Sequence, residues 1–176
     1  RQKIWLGHTR LAILDLSEAG AQPMMSQDGR WVIVFNGEIY NHLDIRSELR
    51  GRIPEISFRG HSDTETLIES ISFWGVEETI EKLNGMFAFA VWDQQDQKLH
   101  LIRDPFGIKP LYYIHQEKEI FFASEVKVLE EMGFDLAPKK EGLETLLTLG
   151  FTPSPQTLFS NILRLSPGHH LIFSNG

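Results

Sequence analysis

A chain of 176 residues with 41% hydrophobic and 23% charged side chains has the composition of a soluble globular domain, long enough to bury a core without metal or disulfide staples. The 17 Lys and Arg are outnumbered by 24 Asp and Glu, and a formal net charge of -7 argues against a nucleic-acid partner, because phosphates select cationic surfaces. The absence of cysteine excludes disulfides, thiolate metal ligands and thiol nucleophiles within these residues, and no apolar run reaches the ~18 residues of a membrane span.

The opening segment "KIWLGHTRLAILDL" has the β-branched and aromatic content of a strand, interrupted at Gly7. A loop follows through Gly20 and Pro23 to a turn at Asp28-Gly29. "WVIVF" then reads as a strand covered on both faces, and "NGE" follows where that strand ends. Asn41 is placed to cap a helix over "HLDIRSELR". Ser62-x-x-Glu65 forms a capping box for a second helix, with Leu67, Ile68, Ile71 and Trp74 on one side and Gly75 as its stop. A shorter helix is expected over "VEETIEKL". "MFAFAVWD" and "KLHLIRD" read as one strand pair around Gln94 to Gln97, and "KPLYYIHQEKEIFFAS" as another around Gln116 to Glu119. "SEVKVLEEMG" and "KEGLETLLTLG" read as glycine-stopped helices, and "ILRLSPGHHLIF" as a final hairpin around Pro167-Gly168. The turns between paired strands are too short for crossover helices, so the expected class is α+β, an antiparallel sheet system with helices packed against it.

No phosphate loop, dinucleotide fingerprint or His-Glu-x-x-His motif is present, and the seven histidines form no spaced ligand cluster, so no metal or cofactor is expected in these residues. The remaining polar motifs are Gly7-His8-Thr9-Arg10, Asn36-Gly37-Glu38 and Ser62-Asp63. Singly, each has a bland reading: a surface arginine, a turn dipeptide, an acid at the positive end of a helix. Together they match an amino-acid ligand. Arg10 offers a two-pronged grip for a carboxylate, Asp63 and Glu38 offer anions for an ammonium, and Asn36 with the Gly37 N–H offers a donor pair for an oxyanion.

The stretches "GHTRLAILDLSEAGAQPM", "VFNGEIYNH", "GHSDTETLIES", "LNGMFAFAVWD", "RDPFGIKPLYY" and "FASEVKVL" resemble, in order, the glutaminase domain of class II glutamine amidotransferases. The likeness is greatest to glutamine-hydrolysing asparagine synthetase and its relatives. It implies the N-terminal-nucleophile hydrolase fold, an αββα sandwich of two antiparallel sheets between helical layers. It also implies hydrolysis of glutamine to glutamate and ammonia by an N-terminal cysteine. Carried onto this chain, it makes Arg10 the anchor for the glutamine carboxylate, Asn36 and Gly37 the oxyanion hole, and Asp63 and Glu38 the contacts to the amino group. Phe106 and Tyr112 are expected to be packing residues, and Arg103 with Asp104 an ion pair or turn.

The resemblance further implies a synthetase domain later in the same chain, with ATP and magnesium serving that domain and none in these residues. Residues 1-176 are expected to be one glutaminase domain, with a connection to that second domain starting after about residue 150. The chain opens on Arg1 rather than Met, and the nucleophile is expected upstream of it, so these residues alone are expected to be inactive. Loss of upstream strands would leave a sheet edge open to self-association, compatible with a homodimer. A cytoplasmic location is the default without a signal peptide or anchor. The alternatives are a relative that amidates a different carboxylate, and a non-catalytic scaffold with the same amino-acid pocket.

Overall fold

A computed structural model describes residues 3–9 and 17–174. Two long strands, Trp31–Ile39 (β2) and Gly85–Asp93 (β3), form its centre. They pair antiparallel from Trp31 opposite Asp93 to Ile39 opposite Gly85, in unbroken register. Met24–Met25 (β1) is a two-residue edge on β2, and Lys98–Arg103 (β4) and His170–Phe173 (β8) extend the sheet beyond β3 in the order β1-β2-β3-β4-β8. A second antiparallel sheet sets Tyr112–Gln116 (β5) between Glu119–Ala123 (β6) and Leu163–Arg164 (β7).

Alternation along the strands sorts side chains to two faces. Ile33, Phe35, Ile39, Phe87, Phe89 and Val91 turn one way and pack on Ile45 and Leu49 of His42–Arg52 (α1) and Leu67, Ile68 and Ile71 of Asp63–Trp74 (α2). Val34, Ala88, Ala90, Trp92 and Leu101 turn the other way and meet Leu111, Tyr113, Phe122 and Leu165 in and around the smaller sheet. The far side of that sheet is covered by Leu129 of Val126–Glu131 (α4), packed on Ile114, Ala123 and Ile162. The layers therefore run helix, sheet, sheet, helix, as the αββα expectation requires. Val76–Lys82 (α3) follows α2, and Lys140–Leu149 (α5) lies near the chain's end. Among the described residues no helix is long and apolar enough to cross a membrane.

A polar platform fixes the start of α2. Ser62 Oγ accepts the Glu65 N–H at 3.2 Å, the N-cap contact its sequence predicts. The fully buried Glu65 carboxylate reaches back to the N–H groups of Arg59 (2.6 Å) and Gly60 (2.9 Å). Arg46, also buried, donates to the Gly60 and Ser62 carbonyls and to Thr66 Oγ1. These bonds clamp the loop that delivers residue 63.

Four local expectations change. Residues 3–9 run without regular secondary structure, and the rest of the expected first strand lies outside the described residues. The strand expected to stop at Phe35 continues to Ile39, because Ile39 still fills a core position against the helices, so Asn36, Gly37 and Glu38 lie inside β2. Asn41 occupies the N-cap position of α1 without a side-chain cap bond; its carboxamide instead bridges the Lys82 carbonyl and the Asn84 N–H, both at 2.9 Å. The final hairpin is not one: β7 joins the smaller sheet and β8 the larger, so the Pro167-Gly168 turn crosses between layers.

In the "RDPFG" loop, Asp104 accepts the N–H groups of Phe106, Ile108 and Lys109, and Arg103 donates to the carbonyls of Gly107, Lys109 and Leu165. The pair thus makes a turn, as anticipated, while Phe106 is 83% exposed and packs in no core.

Glu69 of α2 is 4% exposed and accepts the Gln27 N–H at 3.0 Å. Burial pushes its carboxyl up to about 7 from an ordinary 4.5, with the Gln27 bond opposing. The folded state therefore keeps a proton that the unfolded chain releases, a contribution complete below about 4.5 and lost as pH rises through about 7. Glu69→Gln is expected to stabilise the intact protein by about 1–2 kcal/mol at pH ~8 and to have little effect at pH ~4. Thermal unfolding across that range checks it, and a pH-independent difference would exclude Glu69 as the source.

Candidate active site

Strand β2 presents one row of main-chain groups away from β3, because antiparallel partners exchange bonds at alternate residues. On that edge the Trp31 carbonyl accepts the Ser26 N–H at 3.0 Å, and Ile33 lies opposite Met24 of β1. Beyond Met24 comes Pro23, opposite Val34, whose main-chain groups turn to β3, so the next pairing position on this edge falls at residue 22. Side chains take over. The Gln22 carboxamide accepts the Phe35 N–H at 2.6 Å and donates to the Phe35 carbonyl at 3.3 Å. Two steps after Gly37, Asp63 Oδ2 accepts the Ile39 N–H at 3.0 Å.

Gly37 is the residue between these two clamps, and its N–H follows the same alternation, outward from the sheet edge. Its partner across the ladder, Phe87, spends its own groups on Asp104: Phe87 N–H donates to Asp104 Oδ2 at 3.3 Å and the Phe87 carbonyl accepts the Asp104 N–H at 2.8 Å. Glycine is required here by close approach. A Cβ at residue 37 would collide with the Met86 carbonyl oxygen and lie 2.7 Å from Phe87 Cα.

Asn36 and Glu38 alternate with Gly37 and belong to the face that carries Val34, toward the smaller sheet. Asn36 Nδ2 donates to Ser124 Oγ, just past β6, at 3.4 Å. Asp63 is the first residue of α2, 5% exposed, with Oδ1 accepting the Thr64 N–H at 2.8 Å. Burial raises the Asp63 pKa above the ordinary aspartate value, while the Ile39 and Thr64 N–H groups and nearby His42 pull it down. His42 is itself held below the usual histidine value, by burial first and by Arg46, with Asp63 and Glu38 opposing.

Asn36, Gly37, Glu38 and Asp63 all line one cavity of about 480 Å³ between the two sheets, with Gln22 and Ser124 also on its wall. Val34, Ala88 and Leu111 give it an apolar side. Arg10 lies outside the described residues; Gly7, His8 and Thr9, which precede it, line the same cavity. The cavity thus carries two carboxylates suited to a cation, with a backbone and a carboxamide N–H beside them suited to an oxygen gaining negative charge. Sequence reading passes over Gln22 and Ser124. Nothing in their local pattern marks them, and Gln22 becomes legible once the register shows that it stands opposite Phe35. Among the described residues no three His, Asp or Glu side chains converge on a metal position.

Comparison with known proteins gives a consistent result. The family model described as a glutamine amidotransferase domain matches residues 1–176. The glutamine-hydrolysing asparagine synthetase 1 of Bacillus subtilis (strain 168) is 40% identical over 95% of this chain and 26% of its own length. The glutamine-hydrolysing asparagine synthetase 3 of the same strain is 38% identical over 97% of the chain and 28% of its length. A protein named amidase chyE, from Penicillium rubens, is 38% identical over 96% of the chain and 24% of its length. The chain thus spans about a quarter of the length of these relatives. Among solved structures, the glutamine phosphoribosylpyrophosphate amidotransferase of B. subtilis aligns with a TM-score of 0.61 at 23% identity, over 72% of this chain and 28% of that one. A structure titled as the allosteric regulatory enzyme of purine biosynthesis aligns at 0.65 and 19%, over 93% and 32%. These two share the fold.

Gly37→Ala is expected to destabilise the intact protein by about 2–3 kcal/mol, because β3 must shift to admit the methyl group. Denaturant unfolding checks this, and an unchanged midpoint would show that β3 yields freely at Met86.

Proposed function

The chain belongs to the glutamine amidotransferase domain family, and from that premise we propose that it is the glutaminase part of a glutamine-hydrolysing asparagine synthetase, releasing ammonia from glutamine for transfer to aspartate. The supporting observation is that Asn36, Gly37, Glu38 and Asp63, taken from separate segments of sequence, line a single cavity.

On this reading Asp63 and Glu38 hold the substrate ammonium, and Arg10 holds its carboxylate. The side-chain amide then lies along the β2 edge, with its carbonyl oxygen toward the Gly37 N–H and Asn36 Nδ2. A thiol attacks the amide carbon; these 176 residues contain no Cys, so it comes from elsewhere in the protein. The carbonyl oxygen takes the negative charge of the tetrahedral intermediate, the thiol's proton passes to the nitrogen, and collapse breaks the C–N bond with loss of ammonia to leave a thioester. Water cleaves the thioester, releasing glutamate and restoring the thiol. Donors already fixed in the sheet edge need no reorganisation as that charge forms.

The rest of the protein, on this reading, uses ATP and magnesium to activate the acceptor in a synthetase domain. On this reading the protein acts in the cytoplasm, and the connection to that domain, expected after about residue 150, follows β8, since β7 and β8 belong to the two sheets. A second reading keeps the same glutaminase site and passes its ammonia to a carboxylate other than aspartate, since relatives of similar identity include one not named an asparagine synthetase.

Ammonia release from glutamine by the full-length protein tests the assignment. Asn36→Ala is expected to lower kcat by about 10²–10³-fold with little change in KM. Asp63→Asn and Arg10→Ala are expected to act mainly on KM, by about ten- to a hundredfold, as lost charge-assisted bonds. Because protonated Asp63 no longer pairs with an ammonium, KM should rise on acidification through a value above the ordinary aspartate range. Full-length protein that leaves glutamine intact would overturn the reading. An Arg10→Ala variant with wild-type kinetics would remove that residue from the site.

A further inference from the structure

We propose that Gln22 is a positioning residue for the oxyanion donor, its carboxamide standing in for a missing strand so that the Gly37 N–H is held toward the cavity. The inference rests on the glutaminase reading above and extends it to a residue that contributes no charge and no nucleophile.

Residue 22 lies opposite Phe35 if the β1 register, Met25 on Val32 and Met24 on Ile33, is continued backward. A backbone pair there would satisfy both main-chain groups of Phe35. The side chain of Gln22 does so instead, accepting at 2.6 Å and donating at 3.3 Å. A carboxamide has the same acceptor and donor geometry as a peptide group, which no carboxylate or hydroxyl reproduces. The substitution has a consequence. A backbone strand would have continued past Phe35 and covered the Gly37 N–H as well, whereas a side chain ends after one residue.

Gln22 also reaches sideways. Its Nε2 lies 3.4 Å from Thr64 Oγ1, and Thr64 is the residue whose N–H holds Asp63 Oδ1 at 2.8 Å. Asp63 Oδ2 in turn takes the Ile39 N–H at 3.0 Å. Phe35, Gln22, Thr64, Asp63 and Ile39 therefore close a frame of hydrogen bonds around Gly37. The frame ties the strand that carries the oxyanion donors to the helix start that carries the ammonium site. It fixes the distance between the two ends of the substrate.

The test uses the full-length protein with Gln22→Met, which keeps length and burial but removes both bonds to Phe35, and Gln22→Glu, which keeps the acceptor but sets a carboxylate against the Phe35 carbonyl. In Gln22→Met the Phe35 amide should exchange with solvent faster than in wild type, by more than any loss of global stability accounts for. Its kcat for ammonia release should fall at least about tenfold, as expected for a misplaced donor. KM should move less than about threefold, because Asp63 keeps its Ile39 and Thr64 donors. Gln22→Glu should lose kcat in the same way, and it decides the matter alone if the methionine variant fails to fold. Wild-type kcat in either folded variant overturns the proposal while leaving the glutaminase reading intact. Unchanged Phe35 exchange in Gln22→Met overturns the clamp itself. A wild-type protein that releases no ammonia overturns both.

Discussion

Every main-chain group on the outer edge of β2 needs a partner, and the way each is satisfied organises the cavity. Strand β1 supplies partners for two residues and ends. From there the edge is completed piecemeal, by a carboxamide at Phe35 and a carboxylate at Ile39. An unpaired edge is ordinarily an invitation to add another strand. Here the pairing is broken up by side chains from two distant segments, and the interval they leave coincides with the glycine. The donor at Gly37 is thus a consequence of how a sheet edge is terminated, and the same bonds that terminate it draw α2 into place.

The sandwich explains why that edge faces a cavity. Apolar side chains of β2 and β3 are committed to α1 and α2 on one side and to the smaller sheet on the other. Asn36 and Glu38 fall on the inter-sheet face by alternation, where Ser124 meets Asn36 from across the gap. The close pairing of Gly37 with Phe87 and of Gly85 with Ile39 keeps the two central strands tight at this end, since a Cβ at either glycine would strike the opposite backbone. Glycine at 37 therefore answers two demands at once, close strand contact on one side and free access to a main-chain donor on the other.

Much of this was legible in the sequence. The capping signal at Ser62, the apolar stripe of α2 and the paired strands after residue 85 each follow from local rules, and the NGE and SD motifs, grouped in the sequence reading, do line one cavity. What was not legible depends on register and on layer assignment. "NGE" has the turn propensity to end a strand, yet Ile39 beyond it has a core position to fill, and burial overrides the local preference. "ILRL" and "HLIF" have the look of a hairpin, yet each finds its partners in a different sheet. Gln22 has no local signal whatever, because its role is set by a residue thirteen positions away in sequence and one hydrogen bond away in space.

The energetics of Asp63 connect the fold to the ligand. A carboxylate that is 5% exposed has lost most of its water, and two backbone N–H groups do not fully replace it, so its pKa stays above the ordinary value. The positive end of α2 eases that strain without removing it. A bound ammonium removes it, and the interaction is stronger for taking place where water is already excluded. The folding of the helix start, clamped by Arg46, Glu65 and Ser62, thus holds a carboxylate in an unfavourable setting, one that a zwitterionic amino acid would relieve on the proposed reading. On that reading, the binding energy gained there would help hold the rest of the ligand against the β2 edge, near the Gly37 and Asn36 N–H groups. On the glutaminase proposal, a ligand without the ammonium would forgo that gain, so selection for an amino acid over a simple amide would follow from the burial of one side chain.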